Sequence, residues 1–145
     1  MRLTTFSDYS LRVLMYVAQA REGRATIAEI ARAFNVSEHH LVKVVHQLGW
    51  QGFLLNQRGR KGGARLARPA AEINVGEVVR LAEAGDMPAE CFNARTNTCV
   101  LAGGCGLQRI LKEAVDEFYA TLGRYSVADL QASPARLQRL LQAAR

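Results

Sequence analysis

Apolar residues recur at helical spacing along most of the chain, which predicts a mainly helical fold. The first such stretch is predicted to form a helix that Thr5 or Ser7 caps and that closes near Gly23. The apolar positions of this first helix are Leu11, Val13, Leu14, Tyr16, Val17 and Ala18.

A tight turn joins the next two predicted helices. Thr26 and Glu29 have the spacing of a capping box, in which a hydroxyl and a carboxylate satisfy free backbone amides, so a helix is predicted over 27–34. After a three-residue turn, Ser37 is placed to cap a third helix over about 38–49. Two helices joined in this way are typical of a helix-turn-helix motif.

The third predicted helix has two different faces. Its apolar face carries Leu41, Val44, Val45 and Leu48. Its other face carries Glu38, His39, Val42, Lys43 and His46. A largely polar exposed face is typical of a helix that contacts DNA.

Two short strands are predicted at 53–57 and 64–66, on either side of a turn rich in glycine and cations. The cations of the turn are Arg58, Arg60 and Lys61. Such a hairpin can form a wing that lies along a DNA backbone or enters a minor groove. A solvated turn whose charges only aid solubility is the alternative. A phosphate-binding P-loop is disfavoured, because its Gly-Lys-Ser/Thr ending is absent.

The second half of the chain has a different composition. A helix is predicted over 75–84 and is broken by the Gly-Asp-Met-Pro sequence that follows. An apolar stripe from Leu107 to Leu122 then predicts one long amphipathic helix. This helix either packs on the core of its own domain or, as we favour, pairs with a second copy in a homodimer.

Charge is distributed unevenly along the 145 residues, whose net charge is +6. Residues 1–70 carry eleven Lys or Arg against four Asp or Glu, whereas residues 71–145 carry eight against nine. The basic half is therefore the one expected to meet a polyanion such as double-stranded DNA. Its candidate DNA-contacting side chains outside the wing are Ser37, His39, His40, Lys43 and Arg12, although His40 and His46 also suit an ordinary surface role.

No stretch approaches the about 18 consecutive apolar residues of a membrane span, and the start of the sequence lacks the pattern of a secretory signal. We therefore expect no membrane partner and a cytoplasmic protein, in which thiols stay reduced.

Three cysteines, Cys91, Cys99 and Cys105, lie in one short loop that contains glycine. Clustered thiolates are the soft ligands of iron–sulfur clusters, and an odd number cannot pair fully as disulfides within one chain. A zinc ribbon is poorly supported, because no Cys-x-x-Cys pair is present. A zinc site, a thiol switch and a loop with incidental thiols remain alternatives. An enzyme is disfavoured, because no histidine or nucleophile motif lies near the cysteines.

Motifs along nearly the whole chain resemble the IscR/NsrR-type family of winged-helix iron–sulfur regulators. They are Met1-Arg2-Leu3-Thr4, Phe6-Ser7-Asp8-Tyr9, Val36-Ser37, the wing from Arg58-Gly59 to Gly62-Gly63, Val75-Gly76-Glu77-Val78 and the three cysteines. Regulators of the IscR type complete a 2Fe-2S site with a histidine three residues after the last cysteine. Gln108 occupies that position here, which favours the branch of repressors that sense nitric oxide.

The resemblance implies a repressor that releases operator DNA when nitric oxide attacks its cluster. The operator is expected to be an inverted repeat, which matches the two-fold symmetry of a dimer. The resemblance implies a cluster on the three cysteines, with 4Fe-4S favoured and 2Fe-2S possible, and Asp8 of the partner subunit as fourth ligand. A carboxylate in the first turn of a helix is also favoured by the helix dipole alone. It further implies that Arg58 enters a minor groove. An iron–sulfur or redox regulator and a cluster-free thiol regulator are the alternative functions.

The expected architecture is mainly α with a small β-hairpin. It comprises a winged helix-turn-helix domain at 1–84, a cysteine loop at 85–106, a dimerisation helix region at 107–131 and a tail at 132–145 to which no function is assigned.

Overall fold

The structure is a computed structural model that describes residues 3–20, 22–57, 59, 62–84 and 87–131, with Ser133, Ala135 and Arg139 beyond them. The predicted tail at 132–145 therefore lies largely outside the described residues. Within the described ranges the elements are α1 (Thr5–Ala18), α2 (Ile27–Phe34), α3 (Glu38–Trp50), β1 (Leu54–Gln57), β2 (Gly63–Leu66), α4 (Val75–Ala82) and α5 (Gly106–Leu122). The prediction of a mainly helical chain with one hairpin is confirmed.

Helix α1 is shorter than predicted. Thr4, rather than Thr5 or Ser7, caps it, because the Thr4 hydroxyl accepts a hydrogen bond of 3.2 Å from the Ser7 backbone amide. The prediction that the helix closes near Gly23 is also wrong, since it ends at Ala18. The chain turns there because Ala25 must pair antiparallel with Ala64 of β2, and Gly23 adopts a positive φ of 65° in the intervening turn.

Helices α2 and α3 form the predicted helix-turn-helix. The capping box of Thr26 and Glu29 is present, and α2 ends at Asn35, whose φ of 52° is left-handed. Helix α3 runs one residue beyond its predicted end, to Trp50. Ser37 occupies its N-cap position, but the Ser37 side chain makes no capping hydrogen bond, so this side chain is not committed to the helix.

Strands β1 and β2 pair antiparallel from Leu54↔Leu66 to Gln57↔Gly63, within one residue of the predicted limits. Gly63 has a φ of 149°, and a Cβ at this position would lie 2.9 Å from the Ala25 carbonyl oxygen. A side chain there would push the hairpin away from the segment before α2. Glycine therefore allows the hairpin to be fastened to the helix-turn-helix.

One hydrophobic core holds α1, α2, α3 and the hairpin together. The largest fully buried side chains are Phe53, Leu14, Ile30, Leu41, Leu48, Leu54 and Ile73. Within the described ranges, no helix is both long and apolar enough to cross a membrane.

The C-terminal end of α5 is fastened to the start of α4. The Asn74 side-chain amide donates a hydrogen bond of 2.7 Å to the Gly123 carbonyl, and a Cβ at Gly76 would lie 2.8 Å from the Gly123 nitrogen. The Arg80 guanidinium lies 4.1 Å from the centre of the Tyr119 ring. Helix α4 ends at Ala82, two residues earlier than predicted.

Candidate metal centre and nucleic-acid interface

The cysteine loop brings two of its three thiols to one cavity. Cys91 lies in a single 3-10 turn, and Cys105 is the N-cap residue of α5. Both line a cavity of about 560 Å³, together with Gly103 and Gly104. Small residues at this wall leave room for an inorganic group beside the two cysteines.

Cys99 is placed differently. All three cysteines are free and half-buried. Among the residues that the structure describes, however, Cys99 does not line the cavity, and no three His, Cys, Asp or Glu side chains form a group able to hold a metal ion. The donor set nevertheless suits an iron–sulfur cluster, because it consists of accessible soft thiols in one loop.

Gln108 fixes the position of Cys91. Its side-chain amide donates a hydrogen bond of 2.9 Å to the Cys91 carbonyl, joining the first turn of α5 to the start of the loop. The residue that replaces the histidine expected in IscR-type proteins therefore acts on the loop backbone. Arg109 and Lys112 also line the cavity, and their cations suit a group that carries negative charge.

Hydrogen bonds within the loop set its shape around Cys99. The Glu90 carboxylate accepts from the Thr98 backbone amide at 3.1 Å and from the Thr98 hydroxyl at 3.0 Å. The Asn97 side chain accepts from the Cys99 amide at 3.0 Å. These bonds are partly exposed, so the segment that carries Cys99 is weakly held compared with the core.

Asp8 lies in the first turn of α1, as predicted. Both of its carboxylate oxygens are paired with the Arg12 guanidinium, at 2.8 Å and 2.9 Å. The two side chains are 44% and 40% exposed, which leaves the carboxylate reachable from outside the chain. Arg12, the candidate phosphate contact, also lies 5.9 Å from the centre of the Tyr9 ring.

Glu83 was not identified from the sequence. It follows α4 directly, and one of its oxygens accepts hydrogen bonds from the Thr4 amide at 2.8 Å, from the Thr4 hydroxyl at 2.9 Å and from the Ser7 hydroxyl. Burial raises the pKa of Glu83, but the hydrogen bonds from Ser7 and Thr4 outweigh it, so the pKa lies below its ordinary value. The one signal for it in the sequence was that two hydroxyl side chains, Thr4 and Ser7, lie at the start of α1, whereas an N-cap requires only one. The second hydroxyl suggests a further hydrogen-bond partner.

The predicted DNA-contacting residues of α3 lie on its exposed face. Ser37, His39, His40 and Lys43 are all exposed. The His40 ring lies 6.5 Å from the Tyr9 ring, so this histidine also faces α1. An exposed helix face that presents imidazole groups and the Lys43 cation is suited to phosphate oxygens and base edges.

The tip of the wing, with Arg58, Arg60 and Lys61, lies outside the described residues. The strands that carry it are described, and the Ala25 amide and carbonyl bond Ala64 at 2.9 Å and 2.8 Å. The base of the wing is therefore fixed beside α2.

Helix α5 leaves part of its apolar stripe uncovered. Leu107 and Ile110 are 62% and 54% exposed, whereas Val115 and Leu122 are half-buried. The exposed positions lie at helical spacing, so they form a continuous apolar face. The fold therefore does not support the alternative that the whole apolar stripe of α5 packs on the core of its own domain.

Comparison with known proteins relates this arrangement to regulators. Residues 3–133 match the model of the Rrf2 family, described as an iron-dependent transcriptional regulator. The chain is 41% identical to the HTH-type transcriptional regulator NsrR of Bacillus subtilis (strain 168) over 143 residues, 98% of each chain. It is 45% identical to NsrR of Geobacillus kaustophilus (strain HTA426) over 143 residues, 98% of this chain and 97% of that relative.

A solved structure shows the same fold. The structure of CymR, the global cysteine regulator of B. subtilis, has a TM-score of 0.71 at 24% identity and covers 91% of this chain and 97% of that one. The predicted winged-helix architecture is thereby confirmed.

Proposed function

Because the chain belongs to the Rrf2 family of iron-dependent transcriptional regulators, we propose that it is a DNA-binding repressor that senses nitric oxide through an iron–sulfur cluster. The observation that carries the proposal is the loop in which Cys91 and Cys105 line one cavity, in a chain whose basic N-terminal half contains a helix-turn-helix. Such a protein acts in the cytoplasm, where its thiols stay reduced.

Cys91, Cys99 and Cys105 would hold the cluster as thiolates, and the Asp8 carboxylate of the partner subunit would complete the site. When bound, an iron–sulfur cluster supplies iron that reacts with nitric oxide, and we favour 4Fe-4S over 2Fe-2S. Gln108 holds the Cys91 backbone against α5, so Cys91 and Cys105 keep one spacing. The weakly held segment of Cys99 supplies the freedom that closing the site requires.

Glu83 connects the loop to the DNA-binding half. Its carboxylate bonds Thr4 and Ser7 at the start of α1, and α1 packs on α3. A change in the loop that moves the end of α4 therefore reaches the helix that contacts DNA. The free energy of such coupling is the difference in interaction free energy between the contacts made in the two states.

Two copies of the chain would pair through the exposed stripe of α5 and present two α3 helices to an inverted-repeat operator. Ser37, His39, His40 and Lys43 would contact base edges and phosphates from α3, and Arg12 would contact a phosphate from α1. Arg58 would enter a minor groove, and Arg60 and Lys61 would neutralise phosphates.

The test is anaerobic reconstitution followed by titration with nitric oxide, with cluster absorbance and operator binding measured on the same samples. Wild-type protein is expected to hold iron and acid-labile sulfide and to release operator DNA as nitric oxide consumes the absorbance. Cys91→Ala, Cys99→Ala and Cys105→Ala are each expected to lose the cluster while keeping their fold, because these half-buried thiols lie outside the core.

Operator binding that survives complete loss of absorbance to nitric oxide would contradict the sensor role and favour an IscR-type regulator of iron–sulfur or redox state. Protein that takes up zinc but no iron would contradict the cluster itself. Release of DNA by thiol oxidation of iron-free protein would favour the thiol-based regulator.

A further inference from the structure

An apolar side chain lies at the centre of the exposed face of α3. Val42 is 51% exposed, whereas Leu41, Val44, Val45 and Leu48 are at most 5% exposed. At helical spacing, Val42 lies beside His39 and His46, three residues before it and four after it, and both are exposed and polar. Val42 is therefore the apolar residue of this half of α3 that the core does not use.

We infer that Val42 contacts the C5 methyl group of a thymine in the major groove and so contributes to sequence recognition. The inference rests on the proposed DNA-binding function. A valine side chain has no hydrogen-bonding group, so it gains free energy only by leaving water against another apolar group. The C5 methyl of thymine is the apolar group that base pairs present in the major groove.

The place of Val42 along α3 supports this assignment. It is the fifth residue of a helix that begins at Glu38, within the N-terminal half that helix-turn-helix proteins direct at base edges. Trp50 is more exposed, at 80%, but it is the last residue of α3, two turns farther from that end. Exposure alone would select Trp50, whereas position together with exposure selects Val42.

Val42 and the polar side chains around it would recognise different groups of the DNA. His39, Lys43 and His46 carry groups that reach hydrogen-bond acceptors on bases or phosphates, and such contacts do not distinguish thymine from uracil. Val42 contributes to base recognition only through its contact with the C5 methyl group of thymine. Sensitivity to that methyl group therefore isolates the Val42 contact from every polar contact of α3.

The experiment removes the methyl group alone. Reconstituted dimer selects an operator from random duplexes, and each thymine of the selected site is then replaced singly by deoxyuridine, with affinity measured at matched salt. Wild type is expected to lose about three- to tenfold at one position in each half-site, the effect of about one buried methyl or methylene group. Val42→Ala is expected to bind the unmodified operator more weakly by a similar factor and to lose nothing further at that position.

Two variants complete the design. Val42→Thr keeps a β-branched methyl group and is expected to keep most of the sensitivity to deoxyuridine. Leu81→Ala removes an apolar side chain that is 40% exposed on α4, which packs on α1 and α5, and is expected to bind and discriminate like wild type.

The outcomes separate the inference from the function on which it rests. Wild type that is indifferent to every deoxyuridine, or Val42→Ala that keeps the full sensitivity, would overturn the thymine contact and leave Val42 an ordinary exposed residue. A dimer that enriches no sequence at all would overturn the proposed DNA-binding function.

Discussion

The Gln108 side chain donates a hydrogen bond of 2.9 Å to the backbone carbonyl of Cys91, 17 residues earlier in the chain. This bond joins the two ends of the segment that carries the three cysteines and fixes the first thiol relative to α5. Because Cys105 is the residue that begins α5, the same bond sets the relative position of Cys91 and Cys105.

The first prediction concerns this bond. Gln108→Glu keeps the size of the side chain but replaces the amide donor with carboxylate oxygens that face a carbonyl. We expect faster loss of cluster absorbance in air and lower iron content after reconstitution, because the loop then samples positions that the cluster does not fit. Glu117→Gln, the reverse change at an exposed position of α5, is the control and should behave like wild type. Equal cluster lifetimes for Gln108→Glu and wild type would contradict the role of Gln108.

The sequence predicted α2 and α3 well because their signals are local. The capping box of Thr26 and Glu29 and the turn after Phe34 involve residues within a few positions of one another, so α2 has its predicted limits. The predicted end of α1 was wrong because the observed end depends on the pairing of Ala25 with Ala64, which lies 39 residues away in the chain. Long-range contacts of this kind leave no periodic pattern in the sequence.

The same distinction applies to the candidate site. The three cysteines were found from residue type and spacing, because metal chemistry selects both. Glu83 was missed because its partners Thr4 and Ser7 are nearly 80 residues away in the chain, and a single glutamate at a helix end carries no specific signal. The hydrogen bond from Gln108 to the Cys91 carbonyl was also missed. In the sequence, Gln108 was notable only because it replaces the histidine expected in IscR-type proteins.

The second prediction concerns pH. The hydrogen bonds from Ser7 and Thr4 lower the pKa of Glu83 in the folded state, so the ionised carboxylate stabilises the fold. This contribution is fully present above the pKa of an unfolded glutamate, about 4.3, and is lost as pH falls through the lower folded-state pKa. Glu83→Gln is expected to lower the free energy of unfolding at pH 7 by about 1 to 2 kcal/mol, a value limited by partial exposure.

Denaturant titrations of both proteins from pH 7 to pH 3 measure this difference, which should shrink at the acid end. Glu77→Gln, which removes an exposed ion pair with Arg68, is the matched control on α4 and should change stability by less than about 1 kcal/mol. A difference between Glu83→Gln and wild type that is constant with pH would show that the Glu83 carboxylate is not the stabilising group.

The third prediction concerns the exposed stripe of α5. Ile110→Glu places a charge at the centre of the apolar face, and we expect the dimer to dissociate at least about tenfold more readily, because the charge would have to leave water on pairing. Ala120→Glu adds the same charge at an exposed position of α5 outside the apolar stripe, and should leave dimerisation unchanged. Sedimentation of the cluster-free proteins at several concentrations measures both. Unchanged dimerisation of Ile110→Glu would place the interface elsewhere.

The fourth prediction concerns the two roles available to Asp8. In the structure its carboxylate is held by Arg12, an exposed pair at i and i+4 that is worth only about 0.3 to 0.5 kcal/mol. Asp8 can therefore leave Arg12 at little cost if the iron of a partner subunit offers a stronger bond. The small energy of the pair also means that Asp8→Ala should fold and dimerise normally.

Two variants separate ligation from ion pairing. Asp8→Ala removes both the candidate ligand and the ion pair, whereas Arg12→Ala removes the ion pair and keeps the carboxylate. If Asp8 ligates the cluster, Asp8→Ala alone is expected to change the cluster absorbance and the amount of nitric oxide needed to release operator DNA, because a weak oxygen ligand governs access to one iron. Arg12→Ala should keep the wild-type spectrum, while losing affinity for DNA in proportion to one phosphate contact, with a smaller dependence on salt. Spectra and nitric oxide titrations that are the same for Asp8→Ala and wild type would reject the ligand role and leave Asp8 with the helix dipole and Arg12.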